Sequence, residues 1–133
     1  MFVDSSAIVA ILTREDDADS LADRLDAARY PITSAIAIFE ATLGICRKRH
    51  SSLEEAEGDL RQFLETAGVK VVSVTDHEAS MALKAFARYG KGRGHPDQLN
   101  MGDCFAYAVA KSQDVPLLYK GDDFSKTDLA PQR

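Results

Sequence analysis

The sequence predicts an α/β domain, a short parallel sheet of four or five strands flanked by helices. Three observations predict it. Apolar or β-branched runs at 1–3, 30–33, 69–74 and 115–119 have the length of strands. Between them lie segments whose apolar residues recur at i, i+3, i+4 and i+7, the period of a helix packed on one side. The two kinds of segment alternate, which makes a parallel sheet with right-handed crossovers the natural arrangement. With 133 residues, 45% of them hydrophobic, the chain is expected to form one domain over 1–133 with a substantial core.

Met1-Phe2-Val3 is a buried strand closed by Asp4-Ser5-Ser6, and Ala7 to Leu12 resumes as a helix capped by Ser5 or Ser6. Asp4 then stands at the carboxyl end of the first strand, where sites collect in an open parallel sheet. Helix capping explains an Asp there equally well. Glu15 to Ala28 is an amphipathic helix with Ala18, Leu21, Ala22 and Leu25 inward and a solvated acidic face. Tyr30 to Thr33 is a short strand, with Pro31 near its start.

Ser34 caps a helix from Ala35 to Arg49 whose apolar stripe is Ile36, Phe39, Leu43 and Cys46. Glu40 is the odd acid of this helix and is expected in a cleft. The basic end Arg47-Lys48-Arg49-His50 suits the negative pole of the helix. Ser51 or Ser52 opens the next helix, which turns Leu53, Ala56, Leu60, Phe63 and Leu64 inward and stops at Gly68. These two helices form a hairpin. Val69 to Val74 is a strand, and Thr75 or Asp76 caps a helix to Tyr89 with Ala79, Ala82, Leu83 and Phe86 facing the core.

The stretch 90–98 is the only long loop, rich in glycine and basic residues, with the wrong spacing for a phosphate-binding P-loop. Asn100 caps a helix to Gln113 that places Asp103 in its first turn, where exposed N–H groups and the positive helix pole favour a carboxylate. Val115 to Tyr119 is the last strand and leads to the pair Asp122-Asp123; the tail from Ala130 is uninformative.

A net charge of -5 argues against wholesale coating of a nucleic acid. It is compatible with an enzyme that meets its substrate through metal ions and a local basic rim. Cys46 and Cys104 lie in apolar helical stretches and offer neither a disulfide framework nor a zinc spacing. The opening residues carry no export signal, and no segment approaches the roughly 18 apolar residues of a membrane span. A cytoplasmic protein is therefore expected.

Asp4, Asp103 and the Asp122/Asp123 pair fall at one edge of such a sheet, and Glu40 can reach in from the neighbouring helix. Carboxylates held that close cannot all ionise without a compensating charge. Hard divalent cations that accept oxygen ligands, Mg²⁺ and Mn²⁺, supply it. A site of this kind suits hydrolysis of a phosphodiester, with no histidine base required.

Five stretches carry a resemblance: Met1-Phe2-Val3-Asp4-Ser5-Ser6-Ala7, Ala37-Ile38-Phe39-Glu40-Ala41, Tyr89-Gly90-Lys91-Gly92, Asn100-Met101-Gly102-Asp103-Cys104-Phe105-Ala106-Tyr107, and Pro116 through Phe124. Over essentially its whole length the chain resembles the PIN-domain ribonucleases, in particular the toxins of bacterial VapBC toxin–antitoxin pairs. The resemblance implies a Mg²⁺-dependent endoribonuclease, with Mn²⁺ as a substitute, that arrests growth by cutting RNA, usually tRNA or ribosomal RNA. It implies inhibition by a cognate antitoxin protein and assembly as a homodimer. By position it implies that Asp4, Glu40 and Asp103 bind the metal. Asp122, nearer the strand end than Asp123, is preferred as the fourth catalytic acid. Ser5 or Ser6 is placed to orient Asp4 or a water. The apolar surfaces of the hairpin before Val69 and of the Glu15–Ala28 helix are candidates for dimer and antitoxin contacts. Two other readings stand beside this one: a non-catalytic protein-binding module, and a metal-dependent nuclease acting on DNA.

Overall fold

The computed structural model describes residues 1–96 and 98–129; Asp97 of the glycine-rich loop and the tail from Ala130 lie outside them. Four strands, β1 (Phe2–Val3), β2 (Ile32–Ser34), β3 (Lys70–Val72) and β4 (Leu117–Leu118), pair in the order β3-β2-β1-β4. Every pairing is parallel. Parallel neighbours cannot be joined by a tight turn, so helices fill each crossover. These are α1 (Ser5–Leu12) and α2 (Ala18–Asp26), then α3 (Ala35–Arg49) and α4 (Leu53–Ala67), then α5 (Asp76–Tyr89) and α6 (Met101–Ser112).

The strands are shorter than the apolar runs 69–74 and 115–119 suggest, and β1 explains the last of them. It stops at Val3 because Asp4 already caps α1, so β4 can pair only Leu117 with Phe2 and Leu118 with Val3. Successive residues of a strand face opposite sides. Phe2 and Leu117 therefore pack among residues of α5 and α6, including Ala82, Tyr107 and Val109, and with Leu99 just before α6. Val3 and Leu118 pack with Ile8, Leu21, Ile45, Leu60 and Leu64 of the first four helices. β3 lies at the sheet edge, with Lys70 and Val71 exposed.

Local chemistry sets the helix ends. Ser34 Oγ accepts from the Ala37 N–H at 3.2 Å and Ser52 Oγ from that of Glu55 at 3.0 Å. Thr75 and Glu78 close a capping box on α5, and Gly68, at φ 69°, ends α4 in the left-handed conformation that glycine adopts without strain. The cap of α1 is Asp4 rather than Ser5 or Ser6, because its carboxylate accepts from the Ser6 N–H at 3.0 Å. α2 begins only at Ala18, three residues later than the acidic pattern from Glu15 suggests. Glu15 and Asp17 are instead engaged in ion pairs with Lys120, and Glu15 also with Lys48.

Two apolar stripes are rotated from their expected phase. In α3 the buried residues are Ala37, Ile38, Ala41, Gly44 and Ile45, while Phe39 is 66% exposed. In α5 they include Ala82, Ala85 and Tyr89, while Leu83 is 71% exposed and Phe86 also reaches solvent. Small residues let these helices approach their neighbours closely, and the bulky ones at the same period are left on the outer flank. Leu53 is likewise exposed at the start of α4.

Leu60→Ala should cost about 2–5 kcal/mol, because the side chain is fully buried and leaves a cavity. Phe39→Ala should cost no more than about 0.5 kcal/mol. Urea unfolding of both variants checks this, and equal losses would contradict the observed phase of α3.

Candidate active site

The carboxyl ends of β1 and β4 meet at one point. The Asp4 N–H donates to the Leu118 carbonyl at 2.9 Å, which fixes Asp4 just beyond the sheet. Its side chain is only 3% exposed. Ser6 holds it: the hydroxyl donates to Asp4 Oδ2 at 2.6 Å and accepts the Lys120 N–H at 3.0 Å. One serine thus ties the first acid to the end of the last strand. Lys120 is itself anchored through Nζ to Glu15 at 2.8 Å and to Asp17 at 3.3 Å. These ammonium contacts lower the Glu15 carboxyl from its ordinary value, the Lys120 hydrogen bond first.

Asp103 sits in the first turn of α6, 8% exposed, inside a capping box with Asn100. The Asn100 side chain accepts from the Asp103 N–H at 2.9 Å, and Asp103 Oδ2 accepts from the Asn100 N–H at 3.1 Å. Glu40 reaches the same turn from α3. Its carboxylate lies so close over Gly102 that a Cβ there would fall 2.0 Å from Glu40 Oε2 and 2.2 Å from Oε1. The Ser5 hydroxyl donates to Glu40 Oε1 at 3.4 Å. Gly102 is thus glycine because the space of a side chain is filled by the carboxylate of another helix.

Electrostatics record the convergence. Burial raises the Asp4 carboxyl most, and the Asp123 charge adds to it against the lowering effect of the Ser6 and Ser5 bonds. Burial and then the Asp4 charge raise Glu40. Asp103 is pushed up to about 7 by burial, with the charges of Asp4, Asp123 and Glu40 adding and its bond to Asn100 opposing. Asp4, Glu40 and Asp103, named from sequence, are therefore brought together. Of the adjacent pair, Asp123 rather than Asp122 bears on the group. Asp122 uses its backbone carbonyl instead, accepting from the Ser125 hydroxyl at 2.7 Å and N–H at 3.0 Å.

Among the described residues no three His, Cys, Asp or Glu side chains already stand at the spacing of a metal shell. The donor chemistry nevertheless fits a hard cation: the converging groups are all carboxylate oxygens. Cys104, next to Asp103, is held as a thiol by burial, which pushes it up to about 11. It offers no soft thiolate to compete.

Ser6 was named as a residue to orient Asp4, and sequence reasoning missed three contributors: Gly102 as the seat of Glu40, the second role of the Ser6 hydroxyl as acceptor of the Lys120 N–H, and the Lys120 anchor. Gly102 had a legible signal. A glycine inside a helix costs about 1 kcal/mol relative to alanine and asks for a packing reason. The other two depend on long-range contacts that no local pattern announces.

A parallel α/β domain with a pocket of acids at the carboxyl edge of its sheet is the class of protein these features define. The PIN-domain profile matches residues 1–129. A VapC ribonuclease of Rhizobium meliloti (strain 1021) is 42% identical over 139 residues, covering 96% of this chain and 98% of the relative. Ribonuclease VapC28 of Mycobacterium tuberculosis (strain ATCC 25618 / H37Rv) is 42% identical over 129 residues, with 97% and 95% covered. Among solved structures, Mycobacterium tuberculosis VapC20, titled a Sarcin-Ricin loop cleaving toxin, aligns with a TM-score of 0.76 at 21% identity. That likeness, one of fold, covers 99% of this chain and 98% of VapC20. The chain belongs to the PIN-domain family, among its VapC ribonucleases.

Two outcomes follow from the pocket itself. A carboxyl raised by folding contributes most stability below its unfolded value near 4 and loses it as pH climbs through the folded value, about 7 for Asp103. In buffer with a metal chelator, the thermal midpoint of the parent should therefore fall relative to that of Asp103→Asn between pH 5 and 8; a constant difference would contradict the shift. Gly102→Ala should drive Glu40 away from α6 while leaving the protein at least as resistant to urea. Carboxyl NMR should then find Glu40 titrating nearer its ordinary range, and an unchanged titration would argue against the close approach.

Proposed function

We propose that the chain is a Mg²⁺-dependent endoribonuclease, with Mn²⁺ able to substitute, that acts as the toxin of a toxin–antitoxin pair and cuts tRNA or ribosomal RNA. The observation that carries this reading is the convergence of Asp4, Glu40 and Asp103, with Asp123 beside them, at one end of the sheet, each of the three raised by burial and by at least one neighbouring acid's charge. The names of the relatives, which call them ribonucleases, support RNA as substrate.

Asp4, Glu40 and Asp103 are the residues that would hold the cation, with Asp123 close enough to contribute charge. When bound, a hard divalent ion supplies acidity to a water and neutralises charge on the departing oxygen of a phosphodiester. Mg²⁺ keeps several waters when few carboxylates hold it, so an open arrangement of acids is compatible with it. The chain's own residues do the positioning. Ser6 holds Asp4, Ser5 holds Glu40, and the Asn100 N–H holds Asp103. Gly102 leaves Glu40 room beside the positive pole of α6. Without a cation these acids repel phosphate, which ties activity to ion binding.

Assembly as a homodimer and capture by an antitoxin belong to the same proposal, and two apolar surfaces support it. One lies between α3 and α4, with Phe39 and Leu53 exposed. The other lies between α5 and α6, with Leu83, Phe86 and Met101 exposed. α2 contributes neither, since its Ala18, Leu21 and Leu25 are buried in the core. Among the described residues no helix is long and apolar enough to cross a membrane.

Asp4→Asn and Asp103→Asn should each remain folded and lose about a hundredfold or more in cleavage of RNA, the scale of losing a charge-stabilising group. Mg²⁺ should raise the thermal midpoint of the parent and not that of the double variant. Matched RNA and DNA strands of one sequence distinguish the substrate. Undiminished cleavage by the metal-saturated double variant would end the proposal.

A further inference from the structure

On the α5–α6 side of the molecule a groove of about 400 Å³ is walled by His77, Lys84, Arg88 and Lys111 and floored by Tyr89 and Tyr107. Among the described residues no acid lines it, in a chain whose net charge is -5. Composition does not produce such a cluster. The Arg88 guanidinium lies 4.9 Å from the centre of the Tyr89 ring and the Lys111 ammonium 5.9 Å from that of Tyr107, so the rings hold these cations at the groove. Lys111 shares its charge with Asp128 at 2.5 Å, and the Tyr107 hydroxyl donates to the same carboxylate at 2.6 Å. Among the described residues neither Lys84 nor Arg88 enters an ion pair, and both are exposed.

One end of the groove lies near the acid pocket, because Tyr107 on its floor is one helical turn along α6 from Asp103. Two backbone bonds close the link from α5 to α6: the Leu99 N–H donates to the Tyr89 carbonyl at 3.1 Å and the Lys91 N–H to the Leu99 carbonyl at 3.0 Å. The Tyr89 end of the groove therefore lies beside the start of α6. Along that helix Asp103, Tyr107 and Lys111 follow at four-residue intervals on one side, which sets Lys111 about 12 Å along the axis from Asp103. His95 of the basic loop packs edge-on against the Tyr89 ring, with centroids 4.8 Å apart.

We propose that this groove docks the RNA backbone flanking the bond to be cut, taking phosphates on Lys84, Arg88 and Lys111 while the acids act on the bond itself. The inference rests on the ribonuclease reading and deepens it. A pocket of carboxylates cannot attract a polyanion, so the holding charge must come from outside it. Cations on long stems meet phosphates without reading sequence, release counterions, and fix the register of the strand. The nearly buried tyrosines form an apolar floor that keeps those stems extended along the groove.

The test uses the full chain. In an Asp103→Asn background, a fluorescein-labelled single-stranded oligoribonucleotide is titrated with and without Lys84→Gln/Arg88→Gln at several salt concentrations. The double substitution should weaken binding about tenfold or more and make the slope of log K against log salt shallower by about 1.4, roughly 0.7 per cation removed. Lys84→Arg/Arg88→Lys, which keeps both charges, should bind like the parent. Unchanged affinity and slope in the glutamine variant would overturn the proposal. On the cutting background with Mg²⁺, the glutamine variant should raise KM for a long RNA with little change in kcat, and should cut a trinucleotide too short to reach the groove as fast as the parent. An equal loss on both substrates would also overturn it. If the parent cuts no RNA, the ribonuclease reading falls by itself, and the salt-dependent titration still decides the groove.

Discussion

Carboxylates brought out of water beside one another raise each other's cost of ionisation, and most of what is specific in this molecule serves to place them there all the same. β1 is pinned in the interior of the sheet and ends in Asp4. α6 begins at the same edge, where its first turn holds Asp103 and leaves a gap for Glu40. Ser6 offsets part of the strain at Asp4 with two hydrogen bonds, from its backbone N–H and its hydroxyl. The repulsion that remains makes the pocket receptive to positive charge.

Charge is divided over the rest of the surface in a complementary way. Acids collect at the sheet edge, and Lys84 and Arg88 flank the α5–α6 groove. Lys120 and Lys48 are engaged by Glu15 and Asp17, so that the segment after β4 and the end of α3 are both fastened to the loop before α2. The exposed apolar side chains Phe39, Leu83 and Met101 lie on helices rather than in loops. Phe39 and Leu83 are residues that a simple inward stripe would have placed in the core.

Much of this was legible before any coordinates. The parallel α/β plan, the caps at Ser34, Ser52, Thr75 and Asn100, and the stop at Gly68 follow from local rules that the chain obeys. The convergence of Asp4, Glu40 and Asp103 was readable because strand ends and helix starts must meet at one edge of such a sheet. The phase of α3 and α5 was not, since periodicity gives the width of an apolar stripe and not which flank the neighbour covers. Asp123 over Asp122 was equally hidden: adjacency in sequence says nothing of which carboxylate comes nearer the other acids. The turn here is closed by the Asp122 carbonyl on Ser125, a contact visible only once the chain is folded.

The sheet order has a consequence for how the protein comes into being. β1 pairs with a strand that follows it by more than a hundred residues of chain. Until β4 docks, Asp4 lacks the Leu118 carbonyl to hold it, Ser6 lacks the Lys120 N–H, and Asp123 has no fixed place near the other acids. The acid pocket is therefore completed by one of the longest-range contacts in the molecule, and it exists only in the fully folded chain.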